Sequence, residues 1–414
     1  RESHMIRRYP FVLALLVGTA CSAQQPSDPQ ALKGPQGPQP PGANDPVPRD
    51  SPAEPGIRNI PATTGHANLP LTPPPFTVTQ IGDFDQPVAI AMLPGGAALI
   101  TEKPGALKLR AADGKVSDVA GVPRVKLSSQ GGLLGVALAP DFAKSRTIYL
   151  SYSEPRPNGG ASLALMKAVF DGARLSAQRV IWRAGSDGPG EQFGGAIAFA
   201  PDGKSLFLSS GERQRFTPAQ DPNQALGKIL RLTLDGAAWP GNPQYKTGGV
   251  RAQTWTLGHR NPYGLAFAPD GRLWEVEMGP RGGDELNLLR PGGNYGWPIV
   301  SNGINYSGAP IPAHPSKPEF AAPALWWTPT ISPGGLIAYS GAMFPQYKGS
   351  LMIAGMSGKA LVRVTVNGAK AVPADQWDMG FRVRGLAQAP DGAIWLLEDG
   401  ARGAEGRLFR LTAK

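Results

Sequence analysis

GHRNPYGLAFAPDGRLWEVEMGPRGGDELNLLRPGGNYGWP, residues Gly258 to Pro298, decides how this chain folds. GHRNP sets a cation and an amide beside a proline that restricts the backbone, LAFAPDGRLWEVE reads as strand, turn and strand, and MGPRGGDELN reads as a glycine-rich loop carrying charge. The middle phrase recurs along the chain: VAIAMLPGGAALITE from Val88, GVALAPDFAKSRTIYLSYS from Gly135, GAIAFAPDGKSLFLSSGE from Gly195, GLIAYSGAMFPQYKGSLMIAG from Gly335 and GLAQAPDGAIWLLED from Gly385. Each copy is an apolar strand of small residues, a Pro-Asp-Gly-like reversal and a second strand rich in aliphatic and aromatic residues. Repetition at roughly fifty to seventy residues predicts sheets arranged radially, an all-β, six-bladed β-propeller. A β-sandwich with long loops is the alternative, and it leaves the return of one phrase unexplained.

Composition agrees. Among 414 residues there are 54 glycines and 44 prolines, which favours many turns over long helices. The formal net charge of +10 suits an acidic partner, but the basic residues are scattered and no aromatics interleave with them, so nucleic acid is not expected.

The first residues read as an address. Arg1–His4 have the character of a cloning scar; Met5, Arg7 and Arg8 lead into an apolar run, Phe11 to Val17, and then to Gly18, Thr19, Ala20 and Cys21. Residues 1–21 are thus expected to be a scar plus a signal segment, either an ordinary secretory signal or a bacterial lipoprotein signal with Cys21 as the lipid anchor. The chain would then be periplasmic or tethered to the outer membrane, touching a membrane only through that anchor. Cys21 is the single cysteine, so no intrachain disulfide forms. Residues 22–75, dominated by Pro, Gln, Gly and Ser, are expected to be a disordered tether in which His66 is inert, and the propeller is expected over 76–414.

Functional residues of a propeller sit on loops around its channel. Arg382 and Arg384 precede and enter the last repeat, and a strand there would put both guanidinium groups on one face. They are either a solvated pair or a site for a polyanion, with Arg260 as a third contributor.

The phrases QGGLLGVALAPDF (130–142), QFGGAIAFAPDG (192–203), QALGKILRL (224–232), GHRNPYGLAF, EMGPRGGDELN, GGNYGWP and RVRGLAQAPDG (382–392) together resemble the soluble quinoprotein sugar dehydrogenases, the glucose/sorbosone dehydrogenase family. The resemblance runs in order through nearly all of 76–414. It implies a propeller that binds pyrroloquinoline quinone and calcium and oxidises the anomeric hydroxyl of a sugar, passing electrons to an acceptor the sequence does not identify. It also implies roles. Arg260 and Asn261 would face the cofactor, and Arg382 and Arg384 would bind its carboxylates. The carbonyls of Gly279 and Pro280 would hold one calcium, Glu285 and the Tyr295 carbonyl a second, and Gln130 would lie near the sugar.

Four positions depart from that pattern, one of them Ala196, which stands where the family has arginine. The family's catalytic histidine is Gln192, within QFGGA where the family has His-Phe-Gly-Gly/Ser-Arg; an amide cannot accept the proton that leaves the hydroxyl. The histidine before Gly-Pro is Met278. The lysine after FPQYKG corresponds to Ser357, with Lys359 two places on as a substitute. Glu191 is the best replacement base by position and Glu277 the next; the alternative for both is a solvated loop carboxylate. His259 and His314 read as structural and loop residues. Two functions follow: a sugar dehydrogenase with an altered base, or a non-catalytic calcium-binding propeller that holds a glycan or carboxylated ligand.

Overall fold

The computed structural model describes residues 66–401 and 405–414. The signal segment, Cys21 and the tether as far as residue 65 lie outside the described residues. No helix among the described residues is long and apolar enough to cross a membrane.

Six four-stranded antiparallel sheets surround a channel. Their innermost strands are Pro87–Met92, Leu133–Leu138, Gly194–Phe199, Pro262–Phe267, Pro333–Ala338 and Val383–Gln388, and blades 1 to 6 are numbered from them. In five blades the strands follow in chain order from the channel outward. The sixth takes its outermost strand from Phe76–Asp83, which pairs with Arg407–Ala413 from Phe76 opposite Ala413 to Asp83 opposite Arg407. The ring is therefore closed by hydrogen bonds between the two ends of the domain.

Local chemistry accounts for the repeat. In the turns after the innermost strands of blades 3, 4 and 6, Asp202, Asp270 and Asp391 accept the backbone N–H two residues on, at 3.0, 3.1 and 3.0 Å. These are Asx turns. The small residues that open the innermost strands answer to crowding at the axis: a Cβ on Gly135 would lie 2.5 Å from the Gly195 carbonyl, and one on Gly385 would lie 2.6 Å from that of Val88. The second strand of a blade is covered on both faces, which explains continuous runs such as Leu351–Gly355 and Ile394–Glu398, buried along their whole length. Each of the six seams between blades carries its own apolar cluster, from Leu99, Leu133 and Leu150 between blades 1 and 2 to Ile100, Trp395 and Leu408 between blades 6 and 1.

The expected tether does not run as far as Pro75. The His66 ring lies against that of Trp326, tilted by 36° with centroids 3.7 Å apart, and Ala67 is only 1% exposed. Asn68 accepts the Thr328 N–H at 2.8 Å and donates to the Pro329 carbonyl at 3.1 Å. Thr72 exchanges backbone hydrogen bonds with Gln376 and Asp378. Residues 66–75 thus dock along the outer strands of blades 4 and 5. Their composition is that of a linker, but a small side chain, an amide and free backbone groups suffice for edge pairing.

Candidate active site

The turns just described lie at one end of the channel, and the residues singled out from the sequence lie at the other. They occupy two kinds of loop: those entering an innermost strand (Gln130, Glu191, Gln192, Arg260, Asn261, Arg382) and those leaving a second strand (Met278, Gly279, Pro280, Ser357, Lys359).

In blade 4 the entry loop is fixed from below. Glu277, 3% exposed, is the last residue of the buried strand Leu273–Glu277. Its Oε2 accepts the N–H groups of Arg260 at 2.5 Å and Asn261 at 3.2 Å, and its Oε1 lies 3.0 Å from His259 Nδ1. It is neither a solvated carboxylate nor an available base; its oxygens are spent on orienting Arg260 and Asn261. His259 is fully buried, with Nε2 2.8 Å from Thr256 Oγ1, in keeping with a structural role. Beneath, Asn287 Nδ2 bridges Glu277 and Glu275. Burial first, and then the charge of Glu277, pushes Glu275 well above the usual carboxylate range.

Asp284 does for the next loop what Glu277 does for this one. Its Oδ1 accepts the Gly279 N–H at 2.9 Å; its Oδ2 accepts the Ser332 N–H at 2.7 Å and the Thr330 hydroxyl, so the Gly279–Pro280 turn is tied to the entry loop of blade 5. Burial raises Asp284 to about 6. The Arg260 guanidinium covers the turn, donating from Nη1 to the carbonyls of Met278 at 3.1 Å and Gly279 at 2.7 Å, and lies 5.3 Å from the Trp297 ring.

Across the channel mouth, Gln130 Oε1 collects three donors from two neighbouring blades: Asn261 Nδ2 at 3.1 Å, Tyr263 OH at 3.3 Å and the Gln192 N–H at 3.2 Å. That carbonyl is therefore a clasp between loops rather than an open contact for a ligand. Glu191 is half-buried, and its Oε2 accepts the Gln130 N–H at 2.6 Å and the Ser128 hydroxyl at 2.8 Å. Gln192 is 3% exposed in a left-handed backbone conformation, with φ at 60°.

The two arginines of blade 6 part company. Arg382 precedes the strand, and its Nε donates to Asp399 Oδ2 at 2.9 Å. Arg384 is inside the strand and buried, its guanidinium 5.0 Å from the Tyr263 ring and its Nη1 3.3 Å from Met356 Sδ. Among the described residues no carboxylate lies within ion-pair distance of it. The expectation of two equivalent guanidinium groups on one face is thus replaced by one neutralised cation and one that is not.

Lys103 was not singled out from the sequence. It follows the second strand of blade 1, is buried, and donates from Nζ to the Ser129 carbonyl at 3.1 Å. Burial first and the Arg384 guanidinium second hold its ammonium below the usual lysine range. Superposing the repeats is the signal that could have found it, since Lys103 occupies the place that Met278 holds in blade 4. Of the positions that depart from the family pattern, Met278 Sδ lies 4.0 Å from Asn261 Nδ2, and Ser357 Oγ lies 2.8 Å from Ser332 Oγ and donates to the Thr330 carbonyl at 3.0 Å. Lys359 is exposed on the following turn.

The residues expected to hold a second cation lie around one small cavity. A partly open cavity of about 10 Å³, the scale of a single water or ion, is lined by Arg260, Glu277, Glu285, Tyr295 and Ser301 among others. Glu285 Oε1 is 3.3 Å from Nε2 of the buried His314, which is a partner of the site rather than an ordinary loop residue.

These features accept an anionic, hydrogen-bonding cofactor. Arg384 and Lys103 crowd two cations into one wall, Asn261 Oδ1 is buried without a hydrogen-bond partner, and carboxylate and carbonyl oxygens of the kind a hard cation needs stand beside them.

Comparison with known proteins gives a consistent result. The glucose/sorbosone dehydrogenase family model matches residues 84–410. The chain is 39% identical over 332 residues to aldose sugar dehydrogenase YliI of Escherichia coli, covering 77% of this chain and 88% of that one. A crystal structure of a glucose dehydrogenase superposes with a TM-score of 0.77 at 42% identity, over 82% of this chain and all of the other. The pyrroloquinoline-quinone-bound aldose sugar dehydrogenase of Streptomyces coelicolor gives 0.68 at 30% identity, over 82% and 99%.

Proposed function

The chain belongs to the glucose/sorbosone dehydrogenase family, and from that premise we propose that it is a quinone-dependent sugar oxidoreductase, oxidising the C1 hydroxyl of an aldose or related sugar with pyrroloquinoline quinone and calcium as cofactors. The observation that carries the reading is Arg384, a buried guanidinium with no carboxylate partner among the described residues, beside the buried ammonium of Lys103. A polycarboxylate relieves that repulsion, and an uncharged glycan does not.

Within this reading Arg384, Lys103 and Asn261 would hold the cofactor, and Arg260 orients the Gly279–Pro280 turn, whose carbonyls would hold the calcium that makes the quinone more electrophilic. Glu285 and Tyr295 line the second calcium site. Bound pyrroloquinoline quinone supplies the two-electron acceptor for the hydride that leaves C1. The hydroxyl proton goes to Glu191, because Gln192 cannot take it and Glu277 is spent on backbone donors. The carboxylate is anchored through Oε2 by Gln130 and Ser128, which limits its motion during transfer. A lipidated or secreted chain in the periplasm, delivering electrons to a separate acceptor, completes the proposal.

The test is reconstitution. Full-length protein with added pyrroloquinoline quinone and calcium should bind the cofactor, seen in its absorbance, and reduce a dye when aldoses are supplied. Glu191→Gln should lower kcat by roughly a hundred- to ten-thousand-fold, the worth of a positioned base. Absence of cofactor binding would leave a glycan-binding propeller; undiminished turnover in Glu191→Gln would remove that residue from the chemistry.

A further inference from the structure

We propose that Arg213 is the positioning residue of the proton-accepting loop: buried beneath it, the guanidinium sets the place of Glu191 by gripping the backbone on either side. This rests on the reading of Glu191 as the proton acceptor. Arg213 is 1% exposed and cannot itself touch a sugar or a cofactor. Its Nε donates to the Glu191 carbonyl at 3.1 Å and its Nη1 to that of Ala161 at 2.7 Å; its Nη2 serves the carbonyls of Gly188 at 3.2 Å and Gly190 at 2.7 Å. The plane of the group stacks 3.9 Å from the Phe193 ring, and its own N–H reaches the Gln192 carbonyl at 3.3 Å. One planar fork thus organises residues 188–193, the irregular segment that bears Glu191. A guanidinium suits the task because its donors leave in fixed directions, whereas an ammonium presents a point.

Two further observations separate this from ordinary core support. Among the described residues no carboxylate pairs with Arg213, so its charge is solvated by the loop's carbonyls. Burial, then the neighbouring Arg215, lowers it to about 9, which still leaves it cationic at neutral pH. The two facing loops also hold four non-glycine residues at positive φ, 60° at Gln192, 62° at Arg213, 56° at Gln214 and 62° at Phe216. Strain of that kind persists only where surrounding contacts impose it, and it gathers at sites whose geometry matters. Gln214 contributes by accepting the Glu191 N–H on Oε1 at 3.0 Å. Glu191 is therefore held at three points: its carboxylate by Gln130 and Ser128, its N–H by Gln214 and its carbonyl by Arg213.

The experiment is a double-mutant cycle on the full chain loaded with pyrroloquinoline quinone and calcium. Arg213→Met is made in the wild type and in Glu191→Gln, with Arg213→Lys as a milder variant should the first fail to fold. Displacing a reacting group by about 1 Å costs on the order of a hundredfold. Arg213→Met should therefore lower kcat by about that factor, leave the KM for sugar and the cofactor affinity within about threefold, and cost less than about threefold more in the Glu191→Gln background. Arg213→Lys should fall between Arg213→Met and wild type. Equal losses of kcat in both backgrounds, or cofactor affinity falling along with kcat, would make Arg213 a general prop and overturn the proposal. Undiminished turnover in Arg213 variants together with a deep loss in Glu191→Gln would overturn it while leaving Glu191 as base. A harmless Glu191→Gln would instead defeat the base assignment on which it stands.

Discussion

Blades 3 and 4 meet at the channel mouth and fix their entry loops by opposite means. In blade 4 buried anions hold donors: Glu277 takes the N–H groups of Arg260 and Asn261, and Asp284 takes those of Gly279 and Ser332. In blade 3 a buried cation holds acceptors, the carbonyls gathered by Arg213. Gripping N–H groups turns carbonyls and cationic side chains toward the ligand, as a corner for a cation and an anionic cofactor requires. Gripping carbonyls leaves a carboxylate side chain to be presented, as a proton acceptor requires. The sign of the buried charge thus foretells the polarity of what its loop offers.

That contrast is broken most severely at Glu277. Truncation to alanine strands two backbone donors and a histidine in a dry interior, and losses of this kind run to about 3 to 5 kcal/mol. Glu277→Ala should show that loss in denaturant unfolding, with Glu277→Gln intermediate because one oxygen can still accept. A loss under about 1 kcal/mol would mean that water replaces the carboxylate and that the anion is not what fixes the loop.

Next in size is the difference between the two arginines of blade 6. Arg384→Ala should weaken pyrroloquinoline quinone binding by about 2 to 5 kcal/mol, since it strips a buried partner from a carboxylate. Arg382→Ala should cost clearly less, because that guanidinium is already committed to Asp399. Equal losses in a cofactor titration would show that Asp399 releases Arg382 when the cofactor arrives. Chelation probes the same side of the site. A cation bound only to the native state stabilises it by about 2.7 kcal/mol at a hundred times its dissociation constant. Removing calcium should therefore lower Tm in the wild type, and by clearly less in Glu285→Ala, where only the Gly279–Pro280 site is left to empty.

A smaller effect is expected where the ring is strapped from outside. Deleting everything before Phe76 removes the His66–Trp326 contact, the Asn68 contacts and the Thr72 pairing. Net of the entropy regained, this should cost about 1 to 3 kcal/mol. A chain starting near residue 62 should retain the full stability. If both behave alike, residues 66–75 lie on the blades without holding them.

The ring was legible in the sequence because its cause is local: a Pro-Asp-Gly reversal and a small-residue strand can be read within one window, and they recur. Its closure was not, because Phe76–Asp83 finds its partner at the other end of the domain and no short-range pattern announces that. The strapping segment was misjudged because composition measures apolar content, whereas Asn68 and Thr72 bind through an amide and the backbone. At the site, residue types were legible and partners were not. Period-two geometry paired Arg382 with Arg384, but Arg382 stands one residue outside the strand and turns to Asp399. Glu277 could be read as a base or as a solvated carboxylate, since the strand pattern does not say which end of a strand is dry; it ends a strand buried along its whole length. Lys103 and Arg213 lie outside every quoted phrase, and Tyr263 and Asp284 lie inside two of them without a legible role; they act from the wall or beneath the loops, where only the folded ring brings them to the channel.

The smallest effect on stability should accompany a clear effect on turnover, and it tests whether the blade 3 loop is strained for a purpose. Gln214 holds φ at 56° while its side chain accepts the Glu191 N–H. Glycine there relieves a left-handed cost of about 1 to 2 kcal/mol, but it loosens the unfolded chain by about 0.5 to 1 kcal/mol and deletes a hydrogen bond worth about 1 kcal/mol. The terms nearly cancel, so Gln214→Gly should unfold within about 1 kcal/mol of wild type. Its kcat should nevertheless fall several-fold, because one of the three anchors of Glu191 is gone, whereas cofactor affinity, set in blades 1, 4 and 6, should not move. A variant more stable by over 2 kcal/mol with unchanged kcat would show that the strain is incidental. Unchanged stability with reduced turnover would show that blade 3 spends its strain on the position of one carboxylate, while blade 4 reaches its geometry through buried charge alone.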